Sequence, residues 1–134
     1  MDSVELSIRT GDEPTVVDLT GEVAVFCRDR GDGLVSVFVP HATAGLAVVE
    51  TGAGSDDDLL DTLAHLLPRD HRWGHRHGSP GHGADHVLPA LVSPSLVVPV
   101  LRGRPALGTW QSIVLVDTNV DNPTRTVRLS FLPG

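Results

Sequence analysis

The chain has no lysine and no tyrosine, a single cysteine and a single methionine among 134 residues. Without lysine, Schiff-base and lysine general-base mechanisms are excluded, and acid–base work falls to His, Asp, Glu or Cys27. One cysteine rules out an internal disulfide and makes a reducing compartment the simplest expectation. Cys27 itself sits among apolar neighbours, which favours an inert buried thiol over a nucleophile. No stretch approaches the roughly 18–20 apolar residues of a membrane span. The amino terminus, MDSVELSIRT, lacks the basic start and apolar run of a signal peptide, so a cytoplasmic location is expected, with no membrane partner. All ten basic residues are arginine, and they form no cluster in a chain of net charge −7. That balance argues against a nucleic-acid partner, because phosphate-backbone binding needs a basic stripe or patch.

What is present points to one α+β domain over residues 1–134. The chain is 40% hydrophobic, and this length is enough for a single core. VELSIRT (4–10) alternates apolar and polar residues, as a half-buried strand requires. A turn at Gly11–Pro14 precedes a second strand near 16–19. GEVAVFCRDR fits a short helix with Thr20 as its N-cap, and Gly31–Gly33 ends it. LVSVFV (34–39) and residues 45–49 predict two more strands. Ser55 followed by Asp58 resembles a capping box, and Leu59, Leu63, Leu66 and Leu67 share one helical face until Pro68. Further elements are expected at 84–92 (helix), 95–100, 110–117 and 125–131 (strands), with a turn at 102–105. Strands dominate, so antiparallel sheets with two or three short helices packed on them are expected.

Five histidines, His71, His75, His77, His82 and His86, fall within sixteen turn-rich residues. Neutral imidazole is the commonest metal ligand and titrates near neutrality. Their spacing contains no His-Glu-x-x-His motif, and a solvated loop with idle histidines is the competing reading. His86 stands where the loop re-enters ordered structure, so packing can fix it. His41 interrupts the apolar run VFVPHATAGLAVVE, flanked by Pro40 and by small residues that let a backbone or a ligand approach closely. It is read either as a site wall or as a tight turn between strands. LGTWQ (107–111) offers Gly108 and Thr109 as donors, Trp110 as a flat apolar surface and Gln111 as a two-way amide. A strand start with a buried tryptophan is the alternative. Arg104 and Arg125 are each able to grip a phosphate or carboxylate in bidentate fashion, provided they converge on the histidines.

Taken in order, PHATAG (40–45) with Glu50, DDDLLD (56–61), His75, GADH (83–86), GRPALGTWQ (103–111), Asp117 and Arg125 resemble the YjbQ-like family, also called secondary thiamine-phosphate synthases. The resemblance covers roughly residues 4–132. It implies a YjbQ-like fold of antiparallel β-sheets in a sandwich, a homotrimer, and sites near the subunit interfaces. It also implies a pocket for a divalent ion, Zn or Mg, held by His41, His75 and His86. Catalytic roles are implied for His41, Thr43, His86 and Asp117. Substrate contacts are implied for Arg104, Gly108, Thr109, Trp110, Gln111 and Arg125. The family's attributed activity joins the pyrimidine diphosphate and thiazole phosphate halves of thiamine with loss of pyrophosphate. The expected partner is therefore a small phosphorylated metabolite. Two other readings compete: a metal-dependent hydrolase or lyase on such a metabolite, and a non-catalytic metal- or metabolite-binding protein. Asp117 stands where the family often has Glu, which withdraws its oxygens by about 1.5 Å, one carbon–carbon bond.

Overall fold

A computed structural model describes residues 1–134 as eight strands and three helices. In chain order these are β1 (Asp2–Arg9), β2 (Thr15–Asp18), α1 (Thr20–Cys27), β3 (Gly33–Phe38), β4 (Ala44–Val49), α2 (Ser55–Leu66), α3 (Gly83–Leu91), β5 (Ser95–Leu101), β6 (Arg104–Pro105), β7 (Ser112–Asp117) and β8 (Thr124–Pro133). All pairings are antiparallel. One sheet runs β1-β8-β3-β5-β6 and the other β2-β7-β4. The α+β sandwich expected from the sequence is the fold observed.

Strand periodicity explains the layering. On β3, β5 and β8, alternate residues Val35, Val37, Val98, Val100, Val127, Leu129 and Phe131 face inward and meet Leu46, Ile113 and Leu115 of the smaller sheet. Helix α1 closes this core with Val23, Phe26 and Cys27. The opposite face of the smaller sheet carries Val114 and Val116, which pack on Leu63 and Leu67 at α2 and on Ala84, Leu88 and Val92 at α3. Strand β7 is thus buried on both faces. That is why IVLV reads as a continuous apolar run rather than an alternating one.

The caps differ from the sequence expectation. The Thr20 hydroxyl accepts a bond from the Ile113 amide of β7 at 2.9 Å instead of capping α1, and Asp18 receives the Thr20 N–H. Gly54 takes the N-cap of α2 with a left-handed φ of 101°, and the Ser55–Asp58 box does not form. Trp110 lies in a turn ahead of β7, 73% exposed, not buried at a strand start. No helix is long and apolar enough to cross a membrane.

Candidate functional site

The histidine-rich segment is held by two carboxylates, the buried Asp85 and the exposed Asp121. Asp85, in the first turn of α3, is almost fully buried and receives Arg69 Nη1 at 2.6 Å on both oxygens. Arg69 Nη2 donates onward to Ser79 Oγ at 2.9 Å. Asp121, just after β7, accepts from the Ser79 amide at 3.3 Å and its hydroxyl at 3.0 Å. The Trp73 indole N–H donates to the Pro68 carbonyl at 2.8 Å. A buried acid would be costly without such partners. Here the cost is met by an arginine that staples residues 69–79 to α3.

This scaffold brings His75, His82 and His86 together. One ring nitrogen from each lies within 4.8 Å of the others. His82 and His86 are four apart at the start of α3, and their Nε2 atoms approach to 3.0 Å. The His75 Nε2 is buried and has no hydrogen-bond partner. His82 Nδ1 lies 2.8 Å from an Asp121 oxygen, a close contact without hydrogen-bond direction. Two nitrogens on one tetrahedral zinc, each at about 2.0–2.1 Å, sit roughly 3.3 Å apart. The 3.0 Å spacing of His82 and His86 is close to that value, while the outer limit of 4.8 Å exceeds it, so ring rotation would have to draw the three nitrogens together around an ion. A buried His75 nitrogen with no protein partner is a donor such an ion would satisfy. The residues fit a divalent ion.

The electrostatics agree. Burial pushes His75 below its ordinary value, and nearby His77, His86 and His82 add to the shift. Burial also lowers His86, helped by His82 and His77 and opposed by Asp85. Both rings are therefore neutral at pH 7, the form a metal requires. Beside the cluster lies a cavity of about 300 Å³ lined by Arg69, His71, Trp73, His75, Arg76 and His82, among others. Arg76 makes no ion pair there, whereas Arg69 is committed to Asp85. The His77 ring lies 3.9 Å from His75, centroid to centroid, with its plane tilted by 58°.

His41 stands elsewhere. Its Nε2 accepts the Thr126 amide of β8 at 2.9 Å, so that nitrogen is occupied. Next to it Arg125 donates to Asp117 through Nε at 2.7 Å and Nη2 at 3.1 Å, and to Thr43 Oγ1 at 2.8 Å. Asp117 also accepts the Asn119 amide at 2.9 Å. Arg125 comes from the larger sheet and Asp117 from the smaller, so the pair bridges the sandwich with both residues buried. Burial lowers the His41 pKa, as does Arg125, while Asp117 raises it. The small residues of PHATAG serve a backbone approach: a Cβ on Gly45 would collide with the Val92 carbonyl behind α3.

Of the expected ligand set, His75 and His86 meet each other and are joined by His82 rather than His41. Thr43, Asp117 and Arg125 meet in the cross-sheet bridge. Gly108 and Gln111 close a turn on one another, with the Gly108 amide donating to Gln111 Oε1 at 2.8 Å, and Thr109 and Trp110 lie within it. Arg104 and Gln111 line a different cleft, one that includes none of the histidines. Arg69 and Asp121 carry the cluster without having been expected there, while His82 was read only as one of five loop histidines and Asp85 only as part of GADH.

Comparison with known proteins finds relatives of this chain in sequence and in fold. A family model described as "UPF0047 protein YjbQ-like" matches residues 4–134. A UPF0047 protein of Mycobacterium tuberculosis is 63% identical over 134 residues, covering all of both chains. The UPF0047 protein YugU of Bacillus subtilis is 32% identical, over 95% of this chain and 96% of its own. Among solved structures, a hypothetical protein from Aeropyrum pernix superposes with a TM-score of 0.88 at 32% identity, each chain fully covered. A YbjQ-like protein of unknown function from Sulfolobus solfataricus shares the fold with a TM-score of 0.91 at 23% identity, over 99% and 97% of the chains.

Proposed function

The chain belongs to the YjbQ-like UPF0047 family, and from that premise we propose that it is a divalent-metal-dependent enzyme acting on a small phosphorylated metabolite. The observation that carries this reading is the buried, partnerless His75 Nε2 beside the ring nitrogens of His82 and His86. His75, His82 and His86 hold the ion. Three imidazoles leave a position open, as a catalytic site requires and a structural one does not. A divalent ion bound there supplies Lewis acidity toward a phosphate oxygen.

The chain's own residues supply the rest. Arg76, free of any ion pair, offers a guanidinium to the phosphate in the adjoining cavity. Trp73 gives the cavity a flat apolar wall. Asp121, against His82, and Asp85, through Arg69, hold the histidines in place, the outer support that ligating imidazoles generally need. The family resemblance suggests thiamine-phosphate synthase-like coupling as the reaction: a new bond forms at the pyrimidine-bearing carbon as the bond to pyrophosphate breaks. Hydrolysis or elimination on a similar phosphorylated compound would use the same site. Thr43, Asp117 and Arg125 bond to one another and His41 Nε2 is taken by the Thr126 amide, and we assign the four to the scaffold.

A homotrimer is part of the same proposal. Leu34, Phe38, Val97, Leu101 and Leu132 share the outer face of the larger sheet and are all exposed. An apolar face of that kind on a soluble chain favours burial against another copy. The lone buried Cys27 accords with a cytoplasmic setting.

The test is incubation of the purified protein with both phosphorylated thiamine halves and with a panel of phosphate esters, plus Zn or Mg. Metal-dependent turnover on any of them, lost in His86→Ala, supports the proposal, and thiamine phosphate as product supports the coupling reaction in particular. A second reading has its own observation. The His77 ring against His75 places a fourth imidazole at hand, which would close the coordination and make this a metal-binding protein without catalysis. Tight metal binding with no turnover, weakened in His77→Ala, would favour that reading.

A further inference from the structure

Away from the histidines, α1, the β5–β6 turn and residues 107–111 enclose a cleft of about 670 Å³. We propose that it is a second binding site, for the polyphosphate group of a small metabolite.

The argument begins with the arginines. Arg30, Arg69, Arg72, Arg125 and Arg128 are engaged in ion pairs with carboxylates. Of the arginines that make none, Arg28, Arg102 and Arg104 all line this cleft. In a chain of net charge −7, three uncompensated guanidiniums around one concavity form a local positive field. Asp29 is the single acid on its wall, and Asp32, which accepts the Arg102 amide at 2.7 Å, lies outside the lining, so the guanidiniums there outnumber the carboxylates.

The backbone supports the same conclusion independently. Asp29 and Arg102, with φ of 65° and 52°, are the chain's only non-glycine residues at positive φ, and both border the cleft. Such conformations cost free energy and persist where surrounding structure enforces them, commonly at ligand clamps. The enforcement is visible. Gly103 donates to the Gly31 carbonyl at 2.9 Å, and a Cβ there would lie 3.1 Å from the Asp29 nitrogen. The β5–β6 turn is thereby locked against the end of α1, which sets Arg102 and Arg28 on the same cleft.

Neutral donors complete it. Gln111 Oε1 is held by the Gly108 amide, which leaves the Gln111 NH₂ free to donate. Guanidiniums with an amide donor suit phosphate oxygens, which accept several bonds and reward bidentate contact. The volume falls within the roughly 300–1,000 Å³ of small-molecule sites. The cleft shares no lining residue with the histidine cavity, so the two sites are separable by mutation.

Calorimetric titration with inorganic pyrophosphate, without added metal, tests this on the full chain and on its His75→Ala/His86→Ala variant. One pyrophosphate per chain, bound equally by both proteins, is expected. Arg104→Gln and Arg102→Gly should each weaken it about tenfold, the loss of one charge-assisted contact. Glycine at 102 accepts the positive φ, so that variant removes the guanidinium without straining the turn, and thermal melts confirm its fold. No saturable binding, binding lost in the histidine variant, or binding indifferent to Arg102 and Arg104 would each overturn the proposal.

Discussion

Replacing Arg125 by methionine separates a scaffold role from a catalytic one at the cross-sheet bridge. Arg125 is 1% exposed and Asp117 fully buried. The substitution keeps an unbranched chain but removes both contacts to Asp117 and the bond to Thr43. Asp117 then retains only the Asn119 amide as an identified partner, a buried carboxylate without a countercharge. Breaking one side of a buried pair costs about 3–5 kcal/mol. With an unfolding entropy of about 2.1 cal/mol/K per residue, a chain of this length loses about 11–18 °C of Tm for that cost. Urea unfolding followed by circular dichroism reads the free energy directly, and Asp117→Leu with Arg125→Met should recover much of it, because no charge is left stranded. A loss under about 1 kcal/mol with an unchanged m value would refute the reasoning, since Asp117 would then have another way to be neutralised or solvated.

Acid should destabilise the metal-free protein before carboxylate protonation sets in. Burial places His41, His75 and His86 below their ordinary value near 6.5, so the folded chain binds fewer protons than the unfolded one just below that pH. Stability present above pH 6.5 is therefore lost as pH falls through the folded values. Urea midpoints should drop as pH falls from about 7 through the ordinary histidine value and below it, and a midpoint that rises there contradicts the assignment. Gly45→Ala should cost about 1–3 kcal/mol, because the added methyl meets the Val92 carbonyl in packed surroundings. A thermal melt that does not move would show that β4 and the residue after α3 separate freely.

Much of the fold was legible because strand periodicity and turn residues act locally. VELSIRT and RTVRLSF alternate, and they pair as β1 and β8 across more than a hundred residues. The caps were not legible, since the Thr20 hydroxyl gained the Ile113 amide only once the sheets were in place, and α2 starts one residue earlier than a Ser55 cap requires, behind a left-handed Gly54. The site divides in the same way. His75 and His86 were identifiable, and His82 carried a readable signal: His82-x-x-x-His86 is an i, i+4 pair, which faces one way on a helix. The helix was expected from residue 84, which left His82 outside it, whereas His82 is itself in helical conformation at the N-cap. Arg69 and Asp121 were invisible for a different reason. Their contacts to Asp85 and His82 span 16 and 39 positions and exist only in the folded chain. For His41, both sequence readings captured something: it is held rigidly at a bend, yet its nitrogen is committed to β8.

The measurement that bears most directly on the account is metal stoichiometry in purified variants, by elemental analysis and equilibrium titration with zinc. The account predicts one ion per chain, lost or weakened at least tenfold in His75→Ala, His82→Ala and His86→Ala, and kept in a folded His41→Ala protein. An ion retained in His82→Ala, or abolished by His41→Ala, would contradict it.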